Sequence, residues 1–266
     1  MSLNAVIFDL DDTLVVDEAV SKEALHDVAL LASEQHGINA ELFLAVAKTH
    51  AAKLWVGNTA VDYCARIGIS FEEALYGKLN DTPPAENQSF AVWASKARVE
   101  FFDALLLAQG VLAEEAADEL AAAFVTARRR LQRLIPNALE TLLRLKQTYR
   151  IGLLTNGASS IQREKIADSG LAPAFDAIVV SGEENVGKPT SEIFEIAAER
   201  LGTRVNECAM VGNSLHRDIL GARQAGFALA IWLNVPGSEE PAYVVPDATI
   251  FGLHELPDLL ARLSSR

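Results

Sequence analysis

The chain has 266 residues, half of them hydrophobic, and a net charge of −13, with an isoelectric point near 4.8. That length suits one large domain or two modest ones, and the apolar share is enough for a real core. A chain this acidic is poorly built to grip nucleic acid, which needs Lys and Arg against phosphates, and it lacks a basic face for anionic lipid.

The first predicted element is a short strand over 5–8, whose run Val6-Ile7-Phe8 stops in the carboxylates Asp9, Asp11 and Asp12. It begins so early that no cleaved leader is expected before it. From about 18 to 135 the sequence reads as helices, over 18–35, 40–52, 59–67, 71–79, 88–109 and 113–134, with Asn80-Asp81-Thr82-Pro83-Pro84 as a loop. From 136 the texture alternates. A helix to about 147, a strand over 150–155, a helix over 159–169 and a strand over 177–180 are followed by a helix over 191–201. Then come a strand over 208–212, a helix over 215–225, strands over 228–233 and 248–251, and a helix over 255–263. Such alternation predicts an α/β fold, a parallel sheet covered by helices on both sides. No stretch approaches the roughly 18 apolar residues of a membrane span. The cysteines, Cys64 and Cys208, have no metal-ligand spacing and fit a reducing cytoplasm.

Candidate chemistry collects where strands end. Asp9 and Asp11 are two residues apart, so in an extended chain both carboxylates point the same way. Their repulsion calls for compensation, and a hard divalent cation supplies it through oxygen ligands. The competing reading is a solvated Asp-rich turn. Thr155-Asn156-Gly157 is a sharp turn whose hydroxyl and amides could cradle an anion. Lys188 stands in Gly187-Lys188-Pro189, ahead of a helix. Val211-Gly212-Asn213-Ser214-Leu215-His216-Arg217-Asp218 runs from a strand end into a helix, where Asp218 could simply complement the helix dipole. The run Arg128-Arg129-Arg130 with Arg133 reads as one solvated helix face, and Trp55 as a packing residue.

Asp9-Leu10-Asp11-Asp12-Thr13-Leu14 resembles the Asp-x-Asp-x-Thr nucleophile motif of the haloacid dehalogenase-like hydrolases. The Thr155, Lys188 and Gly212–Asp218 stretches resemble that family's second, third and fourth motifs, in order. Asn213 departs from the pattern, standing where the fourth motif has its first aspartate. The resemblance implies a Rossmann-like core of residues 1–16 and 136–266, and a helical cap of 17–135 that covers the site. It implies Asp9 as nucleophile and Asp11 as general acid and base. Thr155, Asn156, Gly157 and Lys188 would hold the phosphoryl group, and Asp9, Asp11, Asn213 and Asp218 would hold Mg2+. A dehalogenase has no acid at the second aspartate position, so Asp11 favours phosphoryl chemistry. The expected activity is hydrolysis of a small phosphorylated metabolite. A phosphomutase on the same core and a catalytically weak binding protein are the alternatives. The sequence does not identify the substrate or the oligomeric state.

Overall fold

The computed structural model describes residues 3–79, 85–112, 114–234 and 244–264. The loop expected at 80–84 and the helix start expected at Ala113 lie outside them. The chain forms two compact units. One ends at Val16 and resumes at Arg133, and the other spans Asp17–Gln132. None of the described helices is long and apolar enough to cross a membrane.

The unit from Asp17 to Gln132 is helical: α1 (Glu18–His36), α2 (Ala40–Val56), α3 (Val61–Ile67), α4 (Phe71–Tyr76), α5 (Ala85–Leu107) and α6 (Glu114–Arg130). Its boundaries follow local chemistry. Gly37 takes φ +68° and its N–H reaches Ser33 O to close α1, and the Asn39 side chain accepts the Leu42 N–H to open α2. Ser70 and Glu73 form a reciprocal capping box on α4. An aromatic cluster fills the interior, with Trp55 edge-on to Phe71, Phe90 and Trp93. One expectation fails here. Arg128 is buried rather than solvated, paired with Asp17, bonded to Ser21 Oγ at 3.0 Å and stacked over Tyr76. It falls on the same helical face as Leu120 and Phe124, so α6 turns it inward.

The other unit is a six-stranded sheet with the order β3-β2-β1-β4-β5-β6. The strands are β1 (Ala5–Phe8), β2 (Arg150–Thr155), β3 (Ala177–Val180), β4 (Cys208–Gly212), β5 (Leu229–Leu233) and β6 (Ala248–Ile250), every neighbouring pair parallel. β1 is central, with Phe8 opposite Leu153 on one side and Val211 on the other. Both faces are covered, which is why these strands read as unbroken apolar runs. Val6 and Phe8 enter one core layer with Leu142, Leu145, Leu256 and Leu260. Ala5 and Ile7 enter the opposite layer with Ile193, Phe194 and Met210. The helices supplying these layers are α7 (Ala138–Leu145), α8 (Ser159–Asp168), α10 (Ser191–Arg200), α11 (Gly221–Gln224) and α12 (Leu256–Ser264), and the short α9 (Ser181–Glu184) adds no side chain to either. Residues 133–135 join this unit because Val16 N–H donates to Arg133 O and Ile135 N–H to Leu14 O. The single helix expected over 215–225 is instead a widened turn, Leu215–Leu220, followed by α11. In that turn Ile219 N–H reaches back five residues to Ser214 O.

Candidate active site

The ends of β1, β2 and β4 bring the candidate residues of the sheet unit together. Asp9 follows β1 directly, and its N–H still bonds Val211 O at 3.0 Å. The carboxylate is buried. Its Oδ2 accepts from Thr13 Oγ1 at 3.1 Å and its Oδ1 from Lys188 Nζ at 2.5 Å. Lys188 also donates to Asp218 Oδ1 at 2.7 Å, while Asp218 Oδ2 accepts the Ser214 N–H at 3.0 Å. One ammonium therefore sits between two buried carboxylates. Burial pushes the Asp9 carboxyl above its ordinary value, with Lys188 opposing and Asp218 reinforcing the rise. Burial alone would favour a neutral amine at Lys188, but Asp218 and Asp9 outweigh it and hold the ammonium above its usual range.

Asp11 is close in sequence but engages different partners. Beyond β1 the chain turns, and Asp11 faces α8, where Gln162 Nε2 donates to its Oδ2 at 2.9 Å and Lys165 Nζ to its Oδ1 at 2.8 Å. The same Gln162 nitrogen donates to Thr155 Oγ1 at 2.5 Å and to Asn156 O at 2.9 Å. Asp11 and Thr155 thus share one donor at the end of β2.

Two residues expected to touch substrate are engaged by the protein itself. The Asn156 side chain donates to Lys188 O at 3.0 Å and accepts the Lys188 N–H at 2.9 Å, so it fixes the backbone that carries the ammonium. The Gly157 N–H donates to Ser181 Oγ at 2.9 Å. The turn is tight enough that a Cβ on Gly182 would lie 2.7 Å from Gly157 O. Gly212 is constrained in the same way, since a Cβ there would run into the Asp218 carboxylate.

Asn213 lies beside Asp9 through Thr13. Its N–H donates to Thr13 Oγ1 at 3.1 Å, and its Oδ1 is 3.4 Å from that hydroxyl. Trp232 Nε1 anchors the Asn213 carbonyl at 2.8 Å. Among the described residues no group of three His, Cys, Asp or Glu side chains is placed to hold a metal. With an amide at 213, the oxygen donors here are the carboxylates of Asp9 and Asp218, the Asn213 Oδ1 and main-chain carbonyls. Such a set suits a hard cation, and two buried carboxylates sharing one ammonium leave negative charge for it to offset. Thr13, Gln162, Lys165 and Ser181 were not singled out by sequence reasoning. Thr13 was legible as the last position of its own motif, and Gln162 and Lys165 as polar residues one helical turn apart between Ile161 and Ile166.

The family described as haloacid dehalogenase-like hydrolase matches residues 3–226. A phosphoserine phosphatase of Thermus thermophilus is 36% identical over 96% of this chain and 98% of its own. The HAD-hydrolase YfnB from Bacillus subtilis, solved bound to magnesium, is 26% identical with a TM-score of 0.63, covering 98% of this chain and 99% of that one. A 2-haloacid dehalogenase from Pseudomonas syringae is 27% identical with a TM-score of 0.59 at the same coverage of both chains, 98% and 99%. With a family match across most of its length and a six-stranded parallel core, the chain belongs to the haloacid dehalogenase-like hydrolases.

Proposed function

We propose that this hydrolase is an Mg2+-dependent phosphatase acting on a small phosphorylated metabolite through an aspartyl-phosphate on Asp9. The observation that carries the reading is the Asp9 carboxylate, buried at the end of the central strand and hydrogen-bonded to the Lys188 ammonium. In the first half-reaction an Asp9 oxygen attacks phosphorus, the bond to the leaving oxygen breaks, and the Asp11 carboxyl gives that oxygen its proton. In the second half-reaction water attacks the same phosphorus and passes a proton to Asp11. The bond to Asp9 breaks, and inorganic phosphate departs. Lys188 and the Thr155 hydroxyl bind the phosphoryl oxygens as their charge is redistributed. Asn156 and Gly157 hold Lys188 and the turn in place.

Asp9, Asp218, the Asn213 amide oxygen and the Asp11 main-chain carbonyl are the groups we assign to Mg2+. When bound, the cation offsets negative charge on the phosphoryl group. Displacing a halide from carbon needs no proton donor, so the supported carboxyl of Asp11 favours phosphoryl transfer over dehalogenation, in line with the phosphatase similar over nearly the full chain. Two buried free thiols support a reducing, cytoplasmic setting.

The test is turnover of p-nitrophenyl phosphate with and without Mg2+, for the wild type and Asp9→Asn. Metal-dependent turnover lost in a folded Asp9→Asn protein is the expected result, with beryllium fluoride binding at Asp9 of the wild type. Substantial turnover by Asp9→Asn would rule out this nucleophile. Asn213 favours one rival, a binding protein on the same fold, and that rival gains if the wild type is inactive at every Mg2+ concentration.

A further inference from the structure

Gln162 is fully buried, yet its side chain lies between groups of the reaction centre. Its nitrogen has two hydrogens and three acceptors within reach: Asp11 Oδ2 at 2.9 Å, Thr155 Oγ1 at 2.5 Å and Asn156 O at 2.9 Å. Its Oε1 is buried with no hydrogen-bond partner among the described residues. An amide left half unsatisfied in this way costs free energy, so packing alone does not account for a glutamine here. One turn along the same face of α8, Lys165 is 3% exposed and holds the other Asp11 oxygen at 2.8 Å. Long, charged side chains are seldom buried this deeply.

The chemistry of these contacts is directional. Thr155 Oγ1 accepts from Gln162, and its own proton, given to Asn156 O only at a long 3.4 Å, can turn to a better-placed acceptor. Because Gln162 and Lys165 each take one Asp11 oxygen, the carboxyl cannot rotate freely between orientations. We propose that Gln162 and Lys165 are positioning residues: together they hold the Asp11 carboxyl beside the Thr155 hydroxyl, so that one face of α8 sets where the leaving oxygen receives its proton relative to the bound phosphoryl group. This rests on the phosphatase reading, and it assigns neither side chain a contact with substrate.

The experiment measures kcat/KM across substituted aryl phosphates, from p-nitrophenyl phosphate to phenyl phosphate, in Mg2+. A poor leaving group depends on proton donation far more than a good one, and general acid catalysis contributes about 10²–10⁴-fold where it is needed. Asp11→Asn calibrates the series, with rates falling most on phenyl phosphate. Gln162→Met and Lys165→Met are expected to fall in the same sense, by about tenfold or more on phenyl phosphate and only a few-fold on p-nitrophenyl phosphate. Lys165→Arg, which keeps the charge and a donor, should restore most of the difference. A structural role would lower all rates alike and would not discriminate leaving groups. Uniform losses, or wild-type rates, in folded Gln162→Met and Lys165→Met overturn the inference while the phosphatase reading stands. No leaving-group effect in Asp11→Asn overturns it by removing the proton donor. A wild type that hydrolyses none of the series overturns the phosphatase reading itself. If Gln162→Met does not fold, the Lys165→Met and Lys165→Arg pair decides.

Discussion

Lys188 Nζ lies 2.7 Å from Asp218 Oδ1, and the two side chains are only 2% and 1% exposed. The same ammonium bonds Asp9, so both carboxylates depend on it. Removing one partner of a buried pair leaves an uncompensated charge and costs about 3–5 kcal/mol. Lys188→Met should therefore lower stability on that scale, measured by urea unfolding. Asp218→Asn, which keeps the shape and removes one charge, should cost less. A Lys188→Met loss below about 1 kcal/mol would mean that water or another cation compensates the site.

Asn213 supplies a neutral oxygen where a charged one would attract a dication more strongly. Its N–H and Oδ1 both approach Thr13 Oγ1, which bonds Asp9, so an aspartate at 213 would enter the same small volume. Asn213→Asp is expected to tighten Mg2+ by about 1 kcal/mol or more, the margin of a charge-assisted over a neutral contact. Activity titrated against Mg2+ checks this. Saturation of wild type and mutant at the same concentration would place residue 213 away from the metal.

Gly212→Ala puts a Cβ against the Asp218 carboxylate, which Lys188 and the Ser214 N–H already hold. Overpacking of this kind costs about 1–3 kcal/mol, and the displaced carboxylate should depress turnover as well. Gly110→Ala is the control. It has open space for a Cβ and only its φ of +78° to strain. Similar kinetics for the two mutants would argue against a role for the Gly212–Asp218 contact.

Between α8 and α9, Arg163 meets Glu183 at 2.7 Å and 2.8 Å. The Arg163 hydrogen bonds hold the Glu183 carboxyl below its ordinary value of 4.5, against the opposing effect of burial and with help from Ser159. A depressed folded value means that the pair's contribution is fully present above the unfolded value and is lost as pH falls through the folded one. Arg163→Gln should thus lower stability at neutral pH by less than about 1 kcal/mol, given partial exposure and screening. The gap to wild type should close in acid. A gap in Tm that is constant from neutral to acid pH would refute the electrostatic origin.

The sheet was legible because both of its faces are buried. Runs such as Val6-Ile7-Phe8 and Cys208-Ala209-Met210-Val211 admit no polar interruption, and Thr155 and Gly212 mark where two such runs stop, whereas Lys188 stands eight residues beyond β3. α9, at four residues, is too short to show a period. Asp9 and Asp11 looked like one pair from their spacing, but the turn after Phe8 sends them to different elements, Lys188 for one and α8 for the other. Gln162 and Lys165 gain meaning only when α8 is laid against that turn. In Arg128-Arg129-Arg130 the charge concealed position: the first residue of an exposed-looking run is in register with Leu120 and Phe124.

The central place of β1 has a consequence for how the chain comes to be folded. Its two neighbours lie well over a hundred residues further along, so during synthesis the strand that delivers Asp9 has no ladder to join until the helical unit has already emerged. Contacts of such separation are slow to form and leave apolar segments exposed in the interval. Val6, Ile7 and Phe8 therefore wait unpaired while the helical unit emerges, and the site is complete only once β2 and then β4 have joined β1 on either side.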